Sequence, residues 1–563
     1  MKSNNFTVYR SSAGSGKTYT LALSFVALSL KGNEFGFNNY YRRILAITFT
    51  NKAATEMKER VLLYFKELSI KSDKERILDW IIKETNLDKE TIFIRSAIIY
   101  KHILHNYSDL SISTIDKFTY KIVRSFSSDI GVSQNFELVM DNMKIIQPVI
   151  AILLARIKKG GNELTEAIIN FALQKIEDGR SSNIENDLEE FSQQIFKEDV
   201  INQIENKNIS IKQCLKLQKK LREKQKEIEK NIQLLSTNAK EFFEINGLTK
   251  LHFKRGIFYK HFKVNLLHKD YKKWIPSETL QRYIQNEEWY SQGKPNEIKE
   301  QIDSNINTLQ FMYDQLICLL KPYISNKAVL NNIYSIGLFN EILDGIKEYN
   351  NDNNIQHISS LNKHIHNIVV EQPSSFIYER IGERYNHFLI DEFQDTSLLQ
   401  WQNILPLITD SIDYGKSLIV GDGKQSIYRW RSGEVEQFLK LPTIFKGDKL
   451  KYRKNWENKL KTHLRKKHLK NNFRSRKEII KFNNIFFNKQ KKILPDHLKD
   501  IYKSQEQDYS LAKNGGYVHL ELFSDSEKDY KDEILNRMLD EIKKVTTMDN
   551  YCLKDIAILC NSK

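Results

Sequence analysis

The sequence predicts an α/β fold: one parallel, doubly wound sheet, interrupted by a large helical insertion and followed by an incomplete second sheet domain. Three observations carry this expectation. Five short apolar runs between Phe6 and Val420 each end in a segment rich in small, polar or acidic residues, with helical patterns between them. From roughly Arg124 to Tyr378 helical periodicity dominates. The chain holds only 8 Pro and 21 Gly in 563 residues, which favours long helices over irregular connections.

In order, Phe6–Tyr9 precedes SSAGSGKT and Arg43–Ile47 precedes TFTNKAATEM. Leu110–Ser113 precedes TID, Phe388–Ile390 precedes DEFQDT, and Ser417–Val420 precedes GDGKQSIYRWR. Ligands of such sheets bind beyond the carboxyl ends of the strands, so the five motifs should converge on one crevice. Within the insertion, Cys214–Leu235 carries a broken apolar stripe at Leu217, Leu221, Ile228, Ile232 and Leu235, which predicts an amphipathic helix. YNNDNN, Tyr349–Asn354, reads as a loop. A third unit, from about Lys466, should hold NNFRSR, a strand over Gly515–Phe523, a helix over Asp529–Lys544 and a strand over Asp555–Leu559. The expected division is 1–124 and 379–465 for the sheet domain, 125–378 for the insertion and 466–563 for the start of a second sheet domain.

Lys and Arg number 87 against 71 Asp and Glu, a formal net charge of +16, which favours a polyanionic partner such as nucleic acid. Hydrophobic residues at 40% exclude a disordered chain. Cys214, Cys318, Cys552 and Cys560 lack the spacing of a disulfide framework, a zinc site or an iron–sulfur site. MKSNNFTVYR has no signal-peptide core, and no apolar run approaches a membrane span. A reducing, soluble compartment, the cytoplasm, is the expected location, with no membrane partner.

Ser11–Thr18 matches a phosphate-cradling loop except that Ser11 replaces its first Gly. The small residues Ala13, Gly14, Ser15 and Gly16 let backbone N–H groups wrap a triphosphate ahead of a helix over Tyr19–Leu30. Lys17 would neutralise the β- and γ-phosphates and Thr18 would ligate Mg²⁺. Asp391 would supply a second oxygen ligand from a neighbouring strand end. Glu392 would orient or deprotonate the attacking water, and Gln425 would hydrogen-bond that water or the γ-phosphate. Trp430, between Arg429 and Arg431, is placed to stack on a base. Thr48–Lys52 offers an aromatic, Phe49, and small polar donors suited to a single strand. Arg474 would sense γ-phosphate charge, and Phe473 would stack on adenine. Lys449–Lys470, with Glu457 as its single acid, either tracks phosphates or forms an exposed helix or linker.

In this order the motifs resemble the UvrD/Rep helicases of superfamily 1, and SSAGSGKTYTL and DEFQDTSLLQW are most similar to the RecB/AddA branch. The resemblance implies a P-loop RecA-like domain with an enlarged helical insertion, an incomplete second RecA-like domain, and ATP in the cleft. It implies 3′→5′ movement on single-stranded DNA and action at single-/double-strand junctions in repair or recombination. A nuclease subunit or a C-terminal nuclease domain would be a partner. By resemblance Lys17, Thr18, Asp391, Glu392, Gln425 and Arg474 serve ATP, Phe473 the adenine ring, and Phe49, Asn51 and Trp430 the DNA. Departures are Ser11, the lack of a Gln ahead of the first strand, and Asp116 where many relatives carry His. The motifs that complete the second domain would lie beyond Lys563, so the chain is expected to be the N-terminal part of a longer motor. The alternative is an ATP- and DNA-binding module without turnover.

Overall fold

The computed structural model describes residues 4–560 apart from 33–35, 72–74, 158–162, 178–182, 198–199, 201–209, 269, 372–380, 382–383, 504, 524–529 and 549–550. The chain runs through β1 (Phe6–Ser11), β2 (Ile44–Thr48) and β3 (Ile112–Thr114) before the insertion, where β4 (Glu137–Val139) and β5 (Ile355–His357) pair with each other. It returns through β6 (His387–Ile390), β7 (Ser417–Gly421) and β8 (Leu464–Leu469). All five apolar runs thus lie in one six-stranded sheet of order β3-β2-β6-β7-β1-β8, parallel throughout.

Alternation along each strand feeds two cores, one on either face of the sheet. Leu45, Ile47, Phe388 and Ile390 face one core, and Ile44, Ala46 and Leu389 the other. Because both faces are covered, the strands read as continuous apolar runs.

β8 was not expected. Its sequence, LRKKHL, is basic, and it lies at the sheet edge beside β1. Lysines on an edge strand discourage further strand addition, so charge at this position is compatible with pairing on one side only. The basic segment Lys449–Lys470 is therefore neither a linker nor one exposed helix: it is the helix Arg453–His463 followed by β8. The expected boundary between 465 and 466 falls inside this strand, and the one between 378 and 379 lies outside the described residues.

The insertion folds around two cores rather than one. Its longest helices, Ile211–Ile245 and Ile306–Gly337, pack together and pass through both. Cys214 and Tyr334 lie in one core, Ile232 and Leu316 in the other. The predicted stripe is only partly buried, with Leu217 exposed at the surface. Tyr349–Asp352 is helical, the end of the helix Phe339–Asp352, and only Asn353 and Asn354 turn; tertiary packing of Ile342 and Ile346 carries the helix past its weak formers.

Past β8 the chain forms β9 (Asn471–Asn472), the helix Lys477–Gln490 and β10 (Asp508–Tyr509), which pairs with β9. The two strands expected beyond it do not form. Gly515–Phe523 contains no strand among its residues, and neither does Asp555–Leu559. Extended segments become strands only where a neighbour takes up their backbone hydrogen bonds, and none does so here among the described residues. The helix expected over Asp529–Lys544 is present as Tyr530–Met548. Among the described residues no helix is long and apolar enough to cross a membrane, no disulfide forms from the four cysteines, and no metal-binding group of three His, Cys, Asp or Glu occurs.

Candidate nucleotide site and nucleic-acid interface

β1 hands the chain to the phosphate loop at Ser11, and the helix Lys17–Lys31 starts at its far end. Ser11 tolerates replacement of the usual Gly because its hydroxyl donates to the Gly421 carbonyl on β7, 2.8 Å away. Gly14 and Gly16 have φ of +74° and +82°, a left-handed backbone that L side chains disfavour. Gly16 caps the helix without a side-chain hydrogen bond, and the first turn has no acid, so the terminal N–H groups are left for an anion. The Ser15 hydroxyl is buried without a hydrogen-bond partner. A buried orphan hydroxyl at a bare helix N-terminus fits phosphate oxygens, which would satisfy both.

β6 ends against this loop and delivers the paired acids. Thr18 Oγ1 donates to Asp391 Oδ2 at 3.3 Å. Asp391 is 3% exposed, and burial, with the Glu392 charge adding, pushes its carboxyl up to about 6 against the opposing pull of Lys17. A hydroxyl and a carboxylate side by side form an all-oxygen donor set of the kind Mg²⁺ takes. Glu392 adopts φ of +49°, which turns its side chain back toward the loop. Its Oε2 stands 2.7 Å from Lys17 Nζ, and the same ammonium donates to Gln425 Oε1 at 3.3 Å. Lys17, Thr18, Asp391, Glu392 and Gln425, drawn from three strand ends, therefore meet in one place.

A second layer joins these groups to the loop after β7. Gln394 is fully buried: its Nε2 donates to Glu392 Oε2 at 2.8 Å and to Asp395 Oδ2 at 3.1 Å, while its Oε1 accepts from Asp422 N at 2.8 Å. Asp422 accepts from Gln425 Nε2 at 2.8 Å and pairs with Lys424 at 2.7 Å. Asp395 accepts from Ile427 N at 3.3 Å, and burial pushes its carboxyl up to about 6, with that backbone bond opposing. Gln394 and Asp395 had no role from sequence; their signal was the polar pair at buried positions just past an apolar strand.

The same loop carries the aromatic residues. Tyr428 packs on Phe49, with centroids 4.5 Å apart, and lies 6.0 Å from Trp430. The Arg431 guanidinium is 5.6 Å from the Phe49 ring and 5.7 Å from that of Trp430. Trp430 is 69% exposed, so its ring is not a core element. Asn51, exposed, opens the helix Asn51–Ser69, which Thr50 caps by accepting from Ala53 N at 3.1 Å. Between this cluster and the insertion lies a cavity of about 500 Å³ lined by Phe49, Trp430, Arg431, Asp116, Met143 and Gln194.

Asp116 has its own explanation. It accepts from Gln400 Nε2 at 3.0 Å, and Gln400 also closes a capping box with Ser397 at the start of the helix Leu398–Ser411. Burial holds the Asp116 carboxyl above the usual range, with the nearby Arg431 charge opposing. An acid here therefore aligns a helix cap and faces the cationic side of the aromatic cluster.

The third unit reaches the loop through NNFRSR. Phe473 N donates to the Gly14 carbonyl at 2.8 Å. The Phe473 ring lies over Gly16, 3.7 Å from where a Cβ would sit, and Arg474 Cβ is 2.8 Å from the corresponding point on Gly14. The Arg474 side chain is exposed and makes no salt bridge among the described residues.

The UvrD/REP helicase N-terminal domain family matches residues 2–446. The chain is 24% identical to an ATP-dependent helicase/nuclease subunit of Listeria welshimeri, over 91% of this chain and 40% of that protein. It is 25% identical to the protein of the same name from Lactococcus lactis subsp. lactis, over 98% and 46% respectively. Over a shorter stretch, 15% of this chain, it is 37% identical to the DNA helicase II of Haemophilus influenzae. The chain spans less than half the length of the helicase/nuclease proteins it matches. With a family match over most of its length and the phosphate loop, paired acids and aromatic loop gathered at one sheet end, the chain belongs to the UvrD/Rep helicases, N-terminal domain.

Proposed function

We propose that this chain is the ATP-hydrolysing part of a DNA helicase that moves 3′→5′ along single-stranded DNA and works at strand junctions in repair or recombination. The observation that carries this reading is the unbroken hydrogen-bond path from Lys17 and Glu392 through Gln394, Asp395 and Asp422 to the loop bearing Tyr428 and Trp430. Hydrolysis and DNA contact then share one polar layer. Lys17 leaves Glu392 for the phosphates when nucleotide enters, which frees the carboxylate to orient the attacking water. Gln425 holds the same water or the γ-phosphate, and its anchorage on Asp422 passes the change to the aromatic loop. Thr18 and Asp391 would hold Mg²⁺, which neutralises charge developing on the phosphate oxygens. Arg474 approaches from the third unit, Phe473 serves the adenine ring, and Phe49, Asn51 and Trp430 serve the strand. The domains are divided as the sequence suggests, except that the residues of β8 belong to the first sheet. A nuclease partner or further domain, as named for the relatives, and a cytoplasmic location complete the proposal.

The test is steady-state ATP hydrolysis at low salt with and without single-stranded DNA, beside Glu392→Gln. Stimulation by DNA is expected, with turnover in the variant lowered by about 10²–10⁴-fold while nucleotide still binds. Equal turnover in the variant would remove Glu392 from the mechanism. A second reading, a clamp that binds ATP and DNA without turnover, is favoured by the unpaired extended segment Gly515–Phe523. It predicts binding of both ligands with no hydrolysis at any DNA concentration.

A further inference from the structure

The outer face of the phosphate loop is held by two amides that stand outside the catalytic set. Asn472 Nδ2 donates to the Ala13 carbonyl at 3.2 Å, and Gln507 Nε2 donates to the same oxygen at 2.9 Å. The two amides are themselves joined, Asn472 Nδ2 to Gln507 Oε1, at 3.0 Å. Each is fixed from behind. Asn472 is buried, and its Oδ1 accepts from Arg474 N at 2.8 Å and Ser475 N at 2.9 Å, so the same side chain shapes the turn that presents Arg474. Gln507 is held at both backbone ends by Asn484 of the helix Lys477–Gln490, at 3.1 Å and 3.0 Å. β9 and β10 bring the two residues side by side. A chance surface contact would not have this many independent supports.

The acceptor matters because of its position in the loop. The Ala13 carbonyl and the Gly14 N–H belong to one planar trans peptide and point in opposite directions, so fixing the carbonyl fixes the N–H. Two donors on the carbonyl also polarise the peptide and make that N–H a better donor. In loops of this kind the backbone N–H groups cradle the inner phosphates rather than the terminal one.

We propose that Gln507 and Asn472 are positioning residues: through the Ala13 carbonyl they preset the phosphate loop for nucleotide, and they make the third unit respond to whether the loop is filled. The proposal rests on the nucleotide-site reading above. It separates these residues from Arg474, because a group acting on the inner phosphates affects ADP and ATP alike.

Equilibrium binding of fluorescent ADP and a fluorescent, non-hydrolysable ATP analogue, followed by anisotropy, tests it. Gln507→Glu keeps the shape but turns an acceptor toward the Ala13 carbonyl. Affinity for both nucleotides should fall about tenfold, by the same factor, with the melting temperature of the nucleotide-free chain unchanged. Gln507→Ala leaves the Asn472 donor in place and should show a smaller loss. Gln507→Met, which keeps the length without a donor, replaces the Glu variant if that chain fails to fold. Arg474→Ala should weaken the ATP analogue and leave ADP alone. Binding of both nucleotides within a factor of about two of the parent in all Gln507 variants would overturn the proposal, as would a loss confined to ATP. If Lys17→Ala binds nucleotide as the parent does, the site reading itself fails, and the clamp falls with it.

Discussion

Gly14 is the most constrained residue of the site. A Cβ there would lie 2.7 Å from Asn472 Oδ1 and 2.8 Å from Arg474 Cβ, on a backbone already at φ of +74°. Gly14→Ala must therefore either push NNFRSR away from the loop or distort the loop. Nucleotide affinity is expected to fall by more than about tenfold, since the crowding and the left-handed backbone each cost about 1 kcal/mol or more. Titration with a fluorescent nucleotide checks this, and affinity equal to the parent would mean that the third unit does not sit on the loop in solution. Lys17, Thr18, Asp391, Glu392 and Gln425 could be picked out of the sequence because each ends a strand or opens a helix in a fixed pattern of small and charged residues. Asn472, Gln507 and Gln394 could not. Neutral amides have no spacing signature, and their partners are backbone groups or side chains far along the chain, as with Ala13 and Gln507.

At the scale of elements, the loop from Gly421 to Arg431 matters most. Asp395 anchors its middle by accepting from Ile427 N, while the nucleotide end is fixed by Gln425 and Asp422. Asp395→Ala removes that anchor and should reduce DNA stimulation of ATP hydrolysis more than basal hydrolysis; equal losses in the two rates would place Asp395 in the fold alone. Trp430→Ala removes an exposed stacking surface and should weaken single-stranded DNA binding by roughly 5- to 150-fold, about 1–3 kcal/mol, without altering nucleotide affinity. Fluorescence titration of both ligands distinguishes the two. The apolar strands were readable as elements because burial on both faces needs unbroken hydrophobic runs. β8 was not, since an edge strand buries less and LRKKHL reads as a solvated charge run.

For the molecule as a whole, buried histidines couple stability to pH. Burial pushes His261, His357, His366 and His387 down to about 4. The unfolded chain binds protons on these groups first, so their contribution is complete above about 6.5 and is lost as pH falls toward 4. Asp391 and Asp395, raised to about 6, act in the opposite sense, because the folded state takes up their protons first and gains stability on acidification. Four histidines against two acids leave the histidine sign in control. The melting temperature should fall between pH 6.5 and pH 4, and His261→Gln, distant from the nucleotide site, should flatten the decline. A melting temperature constant across that window would show that these rings are hydrated in the native state.

The paired helices Ile211–Ile245 and Ile306–Gly337 have a mechanical consequence. At 1.5 Å per residue the first is a rod of about 50 Å, and it runs with its neighbour through both insertion cores. Bending between the cores would break helix hydrogen bonds and uncover apolar side chains together. The insertion therefore behaves as a strut. A load applied at its far core by a resisting duplex would arrive at the foot of the sheet almost undiminished, beside the aromatic cluster, rather than being absorbed along the way.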